Sequence, residues 1–350
     1  MRAFVLTLAV LLAASDAYPC TTFCLARDGV SLFGRNYDFE IGQGYVMTNR
    51  RGVHKRSMAG TLDWTSRYGS VTFNQWGREF PMDGMNEAGL VIALMWLDET
   101  VYPRDDRPPL RVLEWIQHGL DNYGTVDELL AHIEETRIGG GTPLHYLVSD
   151  ATGDAATVEY LQGRLVVHRG TTLPAAALTN DSYERSVSHL QQFSGFGGSR
   201  GMPNSSSSLD RFARASMMMR TGAASVDRGF EILSSVVQRG STRWSVVYDS
   251  VRREIWWVSE AHASRRLLRF EGLSLDCSSE AKMLDVHANV TGDVTTLLQP
   301  YSPELNRRLV MTSYTTTSFT RDEPARYAEA DAAHAESYGC GNARRRSVRK

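Results

Sequence analysis

Residues 18–39 read YPCTTFCLARDGVSLFGRNYDF. Two runs of β-branched and aromatic residues, 20–27 and 31–39, flank an Asp28-Gly29 pair, the pattern of a tight β-hairpin. Cys20 stands at the start of the first strand, and the second strand brings Arg35 and Asp38 back beside it. A guanidinium next to a sulfur favours thiolate. By themselves, Arg35 and Asp38 are equally readable as an ion pair within the hairpin.

What precedes the hairpin gives the cysteine its meaning. Arg2, an apolar run from Phe4 to Leu12, and small residues at Ser15 and Ala17 form a secretory leader, residues 1–17, whose apolar core is too short for a permanent span. The expectation is therefore a secreted or periplasmic protein without a stable membrane anchor. Cleavage after Ala17 leaves Tyr18 and Pro19 ahead of Cys20, a short propeptide over 18–19. If Cys20 becomes the first residue, its thiol lies next to its own α-amine, whose intrinsic pKa is about 7.7–8.0. Such an amine can serve as general base for its own side chain. Two other readings of Cys20 stand beside this one: a lipid-acylated cysteine, disfavoured by the bulky Tyr18 and Pro19, and a buried thiol or half of a disulfide. Among the four cysteines of an exported chain, Cys277 and Cys340 are the better pair, because Cys20 and Cys24 sit too far apart on one extended strand to bridge.

Farther along, GLVIALMWL (89–97) reads as a strand buried on both faces. Val112, Leu113, Ile116 and Leu120 recur at helical spacing, and Thr125 with Glu128 forms a capping box for a second helix. Strands follow at 144–150, 156–161 and 164–169, then a helix-rich middle from about 183 to 237 interrupted by SGFGGSRGMPNSSSS, then strands at 243–249, 253–260 and 265–270. This order predicts an α+β domain, 20–320, with helices covering two sheets, and not a doubly wound parallel sheet. Residues 321–350, polar, Ala-rich and finally basic, read as a disordered C-terminal tail.

Composition excludes little but points away from some partners. A formal net charge of −2 gives no general attraction to nucleic acid. Gly197-Gly198-Ser199-Arg200-Gly201 matches G-x-S-x-G, yet no buried strand precedes it and no helix follows directly, so it reads as a chance match in a Gly/Ser loop. With no H-E-x-x-H, C-x-x-C or P-loop, the expectation is no metal and no cofactor.

Taken in order, Cys-Thr at 20–21, FGRNYDF at 33–39, DGMNEAGL at 83–90, TPLHYLVSDATG at 142–153, LTN at 178–180, SSLDRFARA at 207–215 and RGSTRWSVVYD at 239–249 resemble the choloylglycine hydrolases, meaning bile salt hydrolases and penicillin V acylases, within the N-terminal nucleophile hydrolases. The resemblance implies a four-layer αββα sandwich of two mainly antiparallel sheets between helices. It implies Cys20 as nucleophile with Arg35 and Asp38 beside it, Asn180 donating to the oxyanion, and Arg211 completing a charged cluster. Phe39 and Trp96 are placed in the substrate pocket, and a homo-oligomer, a tetramer, is implied too. Other readings stay open: Asn180 as a helix cap, Arg211 as a helix surface residue, Trp96 as core filling.

Trp96 stands where related enzymes carry Tyr or Asn, and a tryptophan there resembles the penicillin V acylases of Gram-negative bacteria. That favours a flat aromatic or aliphatic acyl group over a steroid. The expected activity is hydrolysis of a linear, non-peptide amide through an acyl-thioester. Candidate substrates are penicillin V-like amides, N-acyl homoserine lactones, conjugated bile salts and, in the broader fold group, N-acylethanolamines. Tyr18 and Pro19 depart from the pattern of relatives whose leader ends at the cysteine, so exposing the amine calls for a second step such as attack of Cys20 on the preceding carbonyl. A catalytically silent binding protein of the same fold, or an esterase using Ser199, are the rivals.

Overall fold

The computed structural model describes residues 19–340; the leader, Tyr18 and residues 341–350 lie outside the described residues. The opening hairpin forms as expected, with Thr21–Arg27 antiparallel to Val30–Asp38 and Arg27 opposite Val30. Asp28 and Gly29 both take positive φ, 53° and 77°, as a two-residue turn matching the strand twist requires. Phe23 lies across from Gly34, where a Cβ would come within 2.2 Å of the ring. Glycine in FGR therefore makes room for the core aromatic of the neighbouring strand.

The hairpin belongs to a seven-stranded sheet in the order 177–178, 21–27, 30–38, 242–249, 254–259, 266–269, 292–293. A nine-stranded antiparallel sheet runs 164–169, 155–161, 144–149, 91–96, 81–86, 70–74, 45–49, 282–285, 299–300. The two sheets stack face to face. Phe73 of the larger packs edge-on against Tyr248 and Trp257 of the smaller, at ring separations of 6.2 and 5.8 Å. Helices Ser208–Met219 and Val226–Ser235 cover the outer face of the smaller sheet, and Val112–Asn122 packs on strands 81–86 and 91–96 of the larger. The architecture is thus α+β, helices outside two stacked sheets. Along Val30–Asp38 the pleat divides the work: Phe33, Arg35 and Tyr37 meet the second sheet, whereas Asn36 donates to the Leu233 carbonyl of the covering helix at 2.9 Å.

Thr125 caps its helix by accepting from Glu128 N at 3.1 Å, but the Glu128 carboxylate reaches Gly124 N instead of closing the box on Thr125. The strands Ser70–Asn74 and Pro81–Asn86 and the helix Pro303–Thr316 had no clear sequence signal. In the first of these, buried polar residues satisfy one another, as where Asn49 and Asn74 both donate to Thr72 Oγ1 at 2.9 Å, so the hydrophobic pattern that marks a strand is missing.

The expected disordered tail is corrected over 321–340. Ala325–His334 is a helix paired with Pro303–Thr316, and Gly339–Cys340 pairs with strand Val53–Arg56. Ala328 and Ala332 are small enough to let the two helices approach closely, Tyr314 donates to buried Asp331 at 2.7 Å, and the Cys277–Cys340 disulfide anchors the end. A polar, Ala-rich stretch reads as disorder only when its partner helix is not in view. Cys20 and Cys24 are free and buried.

Candidate active site

The site gathers where strand ends from both sheets meet. Cys20 directly precedes the first strand, Asp38 ends the second, Trp96 ends a strand of the other sheet, Asn180 follows the edge strand Ala177–Leu178, and Arg211 lies in the first turns of the helix Ser208–Met219. Arg211 ties these pieces together. Its Nη1 donates to the Cys20 carbonyl and to Thr21 Oγ1, both at 2.6 Å, and its Nη2 donates to Asn180 Oδ1 at 2.8 Å. Asn180 Nδ2 in turn donates to the Trp96 carbonyl at 3.0 Å. Neither side chain is idle: the helix cap is Ser182, not Asn180, and Arg211 is 1 % exposed.

Cys20 Sγ is buried beside the Asp38 backbone, 3.5 Å from both its N–H and its carbonyl oxygen. Burial raises the thiol's pKa, the Arg35 charge opposes this, and the Asp38 carboxylate adds to it. Arg35 does not pair with Asp38. It forms a fully buried ion pair with Asp83 at 2.7 Å, and Tyr248 donates to the other Asp83 oxygen. Arg35 Nε and Nη2 keep no hydrogen-bond partner among the described residues. A buried guanidinium held from behind, with donors unspent, is suited to meeting negative charge as it develops.

Asp38 is likewise half-satisfied. Its Oδ1 accepts from Thr242 and its Oδ2 has no hydrogen-bond partner among the described residues. Burial pushes its carboxyl pKa up to about 7, against the pull of Thr242, Arg211, Arg35 and Arg243. By contrast, burial pushes the Cys24 thiol, one turn of pleating farther along the same strand, up to about 12 with no guanidinium near it. Cys24 reads as a core residue.

Cys20, Asp38, Phe39 and Trp96 open on one cavity of about 120 Å³, walled mostly by aromatic and aliphatic side chains. Phe319 packs against Phe39, Trp76 and Trp96 at ring separations of 6.4, 5.9 and 5.8 Å. Trp96 Nε1 is held by Asp98 Oδ1 at 2.6 Å, so the indole has a fixed edge. Of the seven residues singled out from the sequence, Cys20, Asp38, Phe39 and Trp96 line this cavity, Arg211 and Asn180 join it from behind through hydrogen bonds to the Cys20 and Trp96 carbonyls, and Arg35 acts on Cys20 through its charge. Asp83, Thr242 and Phe319 were missed. Asp83 lay inside DGMNEAGL as a carboxylate in an otherwise buried strand, a signal that could have suggested a partner for Arg35; nothing in the sequence placed Phe319. Ser199 is exposed in an irregular loop, away from any helix start, as the chance reading of G-x-S-x-G expects.

A family model for linear amide C–N hydrolases, choloylglycine hydrolase family, matches residues 20–248, beginning at the cysteine. The penicillin V acylase of Pectobacterium atrosepticum is 31% identical over 179 residues, 46% of this chain and 47% of that relative, so the match spans about half its length. The bile salt hydrolase/transferase of Clostridium perfringens is 26% identical over 275 residues, 64% of this chain and 81% of that one. Among solved structures, penicillin V acylase from Agrobacterium tumefaciens superposes with a TM-score of 0.72 at 28% identity, covering 81% of this chain and 98% of its own. A conjugated bile acid hydrolase variant from Clostridium perfringens, at 20% identity and a TM-score of 0.67, shares the fold. The chain belongs to the choloylglycine hydrolase family of linear amide C–N hydrolases.

Proposed function

We propose that the protein is a secreted or periplasmic amidase that uses the Cys20 thiol to cleave a linear, non-peptide amide through an acyl-thioester, in the manner of a penicillin V acylase. The observation that carries this reading is that Cys20, Asp38 and Trp96 line one apolar cavity while Arg211 and Asn180 tie Cys20 to Trp96 from behind it.

The chemistry begins with removal of Pro19. Attack of the thiol on the Pro19 carbonyl, followed by water, leaves a Pro19 carboxylate on the released piece and a free α-amine on Cys20. While Pro19 is attached that nitrogen is an amide and has no basicity. Once free, it takes the thiol proton, the sulfur adds to the substrate carbonyl, and the amine returns the proton to the leaving nitrogen. We assign to Asp38, whose buried Oδ2 accepts no hydrogen bond among the described residues, the role of holding the new ammonium. Charge on the substrate oxygen falls to the Asn180 amide, which carries two N–H donors and is pinned by Arg211. Water then releases the acyl group from sulfur.

The aromatic lining supports a flat aromatic or aliphatic acyl group, with penicillin V-like amides first and N-acyl homoserine lactones and conjugated bile salts as further candidates. N-terminal sequencing of purified protein, combined with hydrolysis of penicillin V, glycocholate and long-chain acyl homoserine lactones, tests the proposal. A chain starting at Cys20 that turns over penicillin V is expected. A chain that starts at Tyr18 and turns over none of the panel makes it a silent binding protein.

A further inference from the structure

Away from the Cys20 cavity, a half-open cleft of about 240 Å³ lies between Arg50, Arg78 and the C-terminal residues Tyr301, Glu336 and Tyr338. Arg78 is 7 % exposed, and its side chain makes no hydrogen bond among the described residues; its Nε is fully buried. One face of the guanidinium lies 4.8 Å from the Tyr301 ring centroid. The nearest carboxylate, Glu79, stands 3.9 Å away, and its other oxygen is taken by buried Lys55 at 2.5 Å. Arg50 spends Nη1 on the carbonyls of Cys277 and Ser279 at 2.9 and 2.8 Å, leaving its buried Nε without a partner. Glu336 is occupied by the Tyr301 hydroxyl at 2.6 Å, and Glu280, exposed on the rim, is the remaining acid.

We propose that this space is a binding site for a small inorganic oxyanion of the phosphate type, held between the guanidinium groups of Arg50 and Arg78. A buried guanidinium with no acceptor leaves strong donors unmet, a costly arrangement that a tetrahedral oxyanion relieves through paired N–H···O bonds. Burial and, after it, the charge of Arg78 lower the pKa of Arg50, and the charge of Glu79, which Lys55 already engages, offsets this only in part. The space admits several waters at about 30 Å³ each and falls short of the ~300–1,000 Å³ typical of drug-sized ligands, so the occupant is small. Since Arg50 also grips the Cys277 carbonyl next to the disulfide, the anion fastens the C-terminal segment to the second sheet.

The test compares thermal unfolding of the full chain in roughly 20 mM phosphate with chloride at equal ionic strength, alongside the phosphorus NMR line width of phosphate with and without protein. Phosphate is expected to raise Tm by about 2–3 °C over chloride, and its resonance to broaden. Arg78→Gln is expected to abolish both effects; should that variant fail to fold, Arg50→Gln is expected to cut them at least by half. No rise and no broadening with the natural chain, or the same rise and broadening in a folded Arg78→Gln or Arg50→Gln chain, overturns the proposal. Penicillin V hydrolysis is not the readout, so failure here is separable from failure of the amidase reading.

Discussion

One wall of the cavity, carrying Cys20, Asp38 and Trp96, is built from strand ends inside the span shared with the choloylglycine hydrolase family, whereas another, carrying Tyr314, Phe319 and Asp331, comes from two helices and the turn between them that follow that span. The first wall is held by a chain of hydrogen bonds running from Arg211 through Asn180 to the Trp96 carbonyl and from Arg211 to the Cys20 carbonyl. The second is mostly ring against ring, with one buried acid held by Tyr314 and Arg111. Hydrogen bonds fix positions to fractions of an ångström, as bond-making needs; stacked rings tolerate exchange of shape, as selection among acyl groups needs. On the proposed function, the contrast would put the chemistry on the first wall and the choice of substrate on the second.

The severest way to break this contrast is to remove the sulfur. Cys20→Ala is expected to lower kcat by at least ~10⁴-fold with the fold unchanged by circular dichroism. If Ser199→Ala silenced the enzyme and Cys20→Ala did not, the chemistry would lie elsewhere. Next in size is the clamp on the second wall. Cys340→Ser opens a cross-link between residues 63 apart in sequence and should cost about 4 kcal/mol in urea unfolding. At the same time KM should rise while kcat holds, and a fall in kcat alone would show that this segment reaches the reacting atoms.

Arg211→Gln is expected to lower kcat about 100-fold, because Asn180 and the Cys20 carbonyl lose their common anchor. The loss should appear for every substrate alike; a loss confined to one acyl group would move Arg211 into the selective wall. Phe319→Ala is smaller, about 10-fold in the ratio of kcat/KM between an aromatic and a linear acyl amide, with kcat on the better substrate kept.

A pH effect sharpens the comparison last. In the unprocessed chain the folded pKa of Asp38, about 7, exceeds its usual value of 3.8, so between roughly pH 4 and 7 the folded state binds a proton that the unfolded state has lost. Stability therefore falls as pH rises through that window, by no more than a single group's titration. Asp38→Asn should flatten that part of the profile, measured by urea midpoints at each pH; an unchanged slope would mean that Asp38 is ionised throughout.

Local residues carried much of this. The hairpin was readable because Asp28-Gly29 sets its turn and the strand alternation sets its register, and register alone decides that Arg35 faces the second sheet. Cys20, Arg35, Asp38, Asn180 and Arg211 could be named through motifs whose order is preserved along the chain. The partner of Arg35 could not, since Asp83 lies 48 residues away on another sheet and no local rule joins them. The C-terminal helix was misread for the same reason: Ala328 and Ala332 have value only against a neighbour.

What the sequence by itself determined is the chemistry on offer: a cysteine heading a hairpin, a tight turn that returns an arginine and an aspartate on the next strand, and two cysteines left to pair. Only the tertiary structure decided that Arg35 is held by Asp83, that Asp38 keeps one oxygen unspent, and that a segment with a weak sequence signature closes the acyl pocket. Turns and register are governed by neighbours in the chain, whereas burial and ion pairing are governed by neighbours in space.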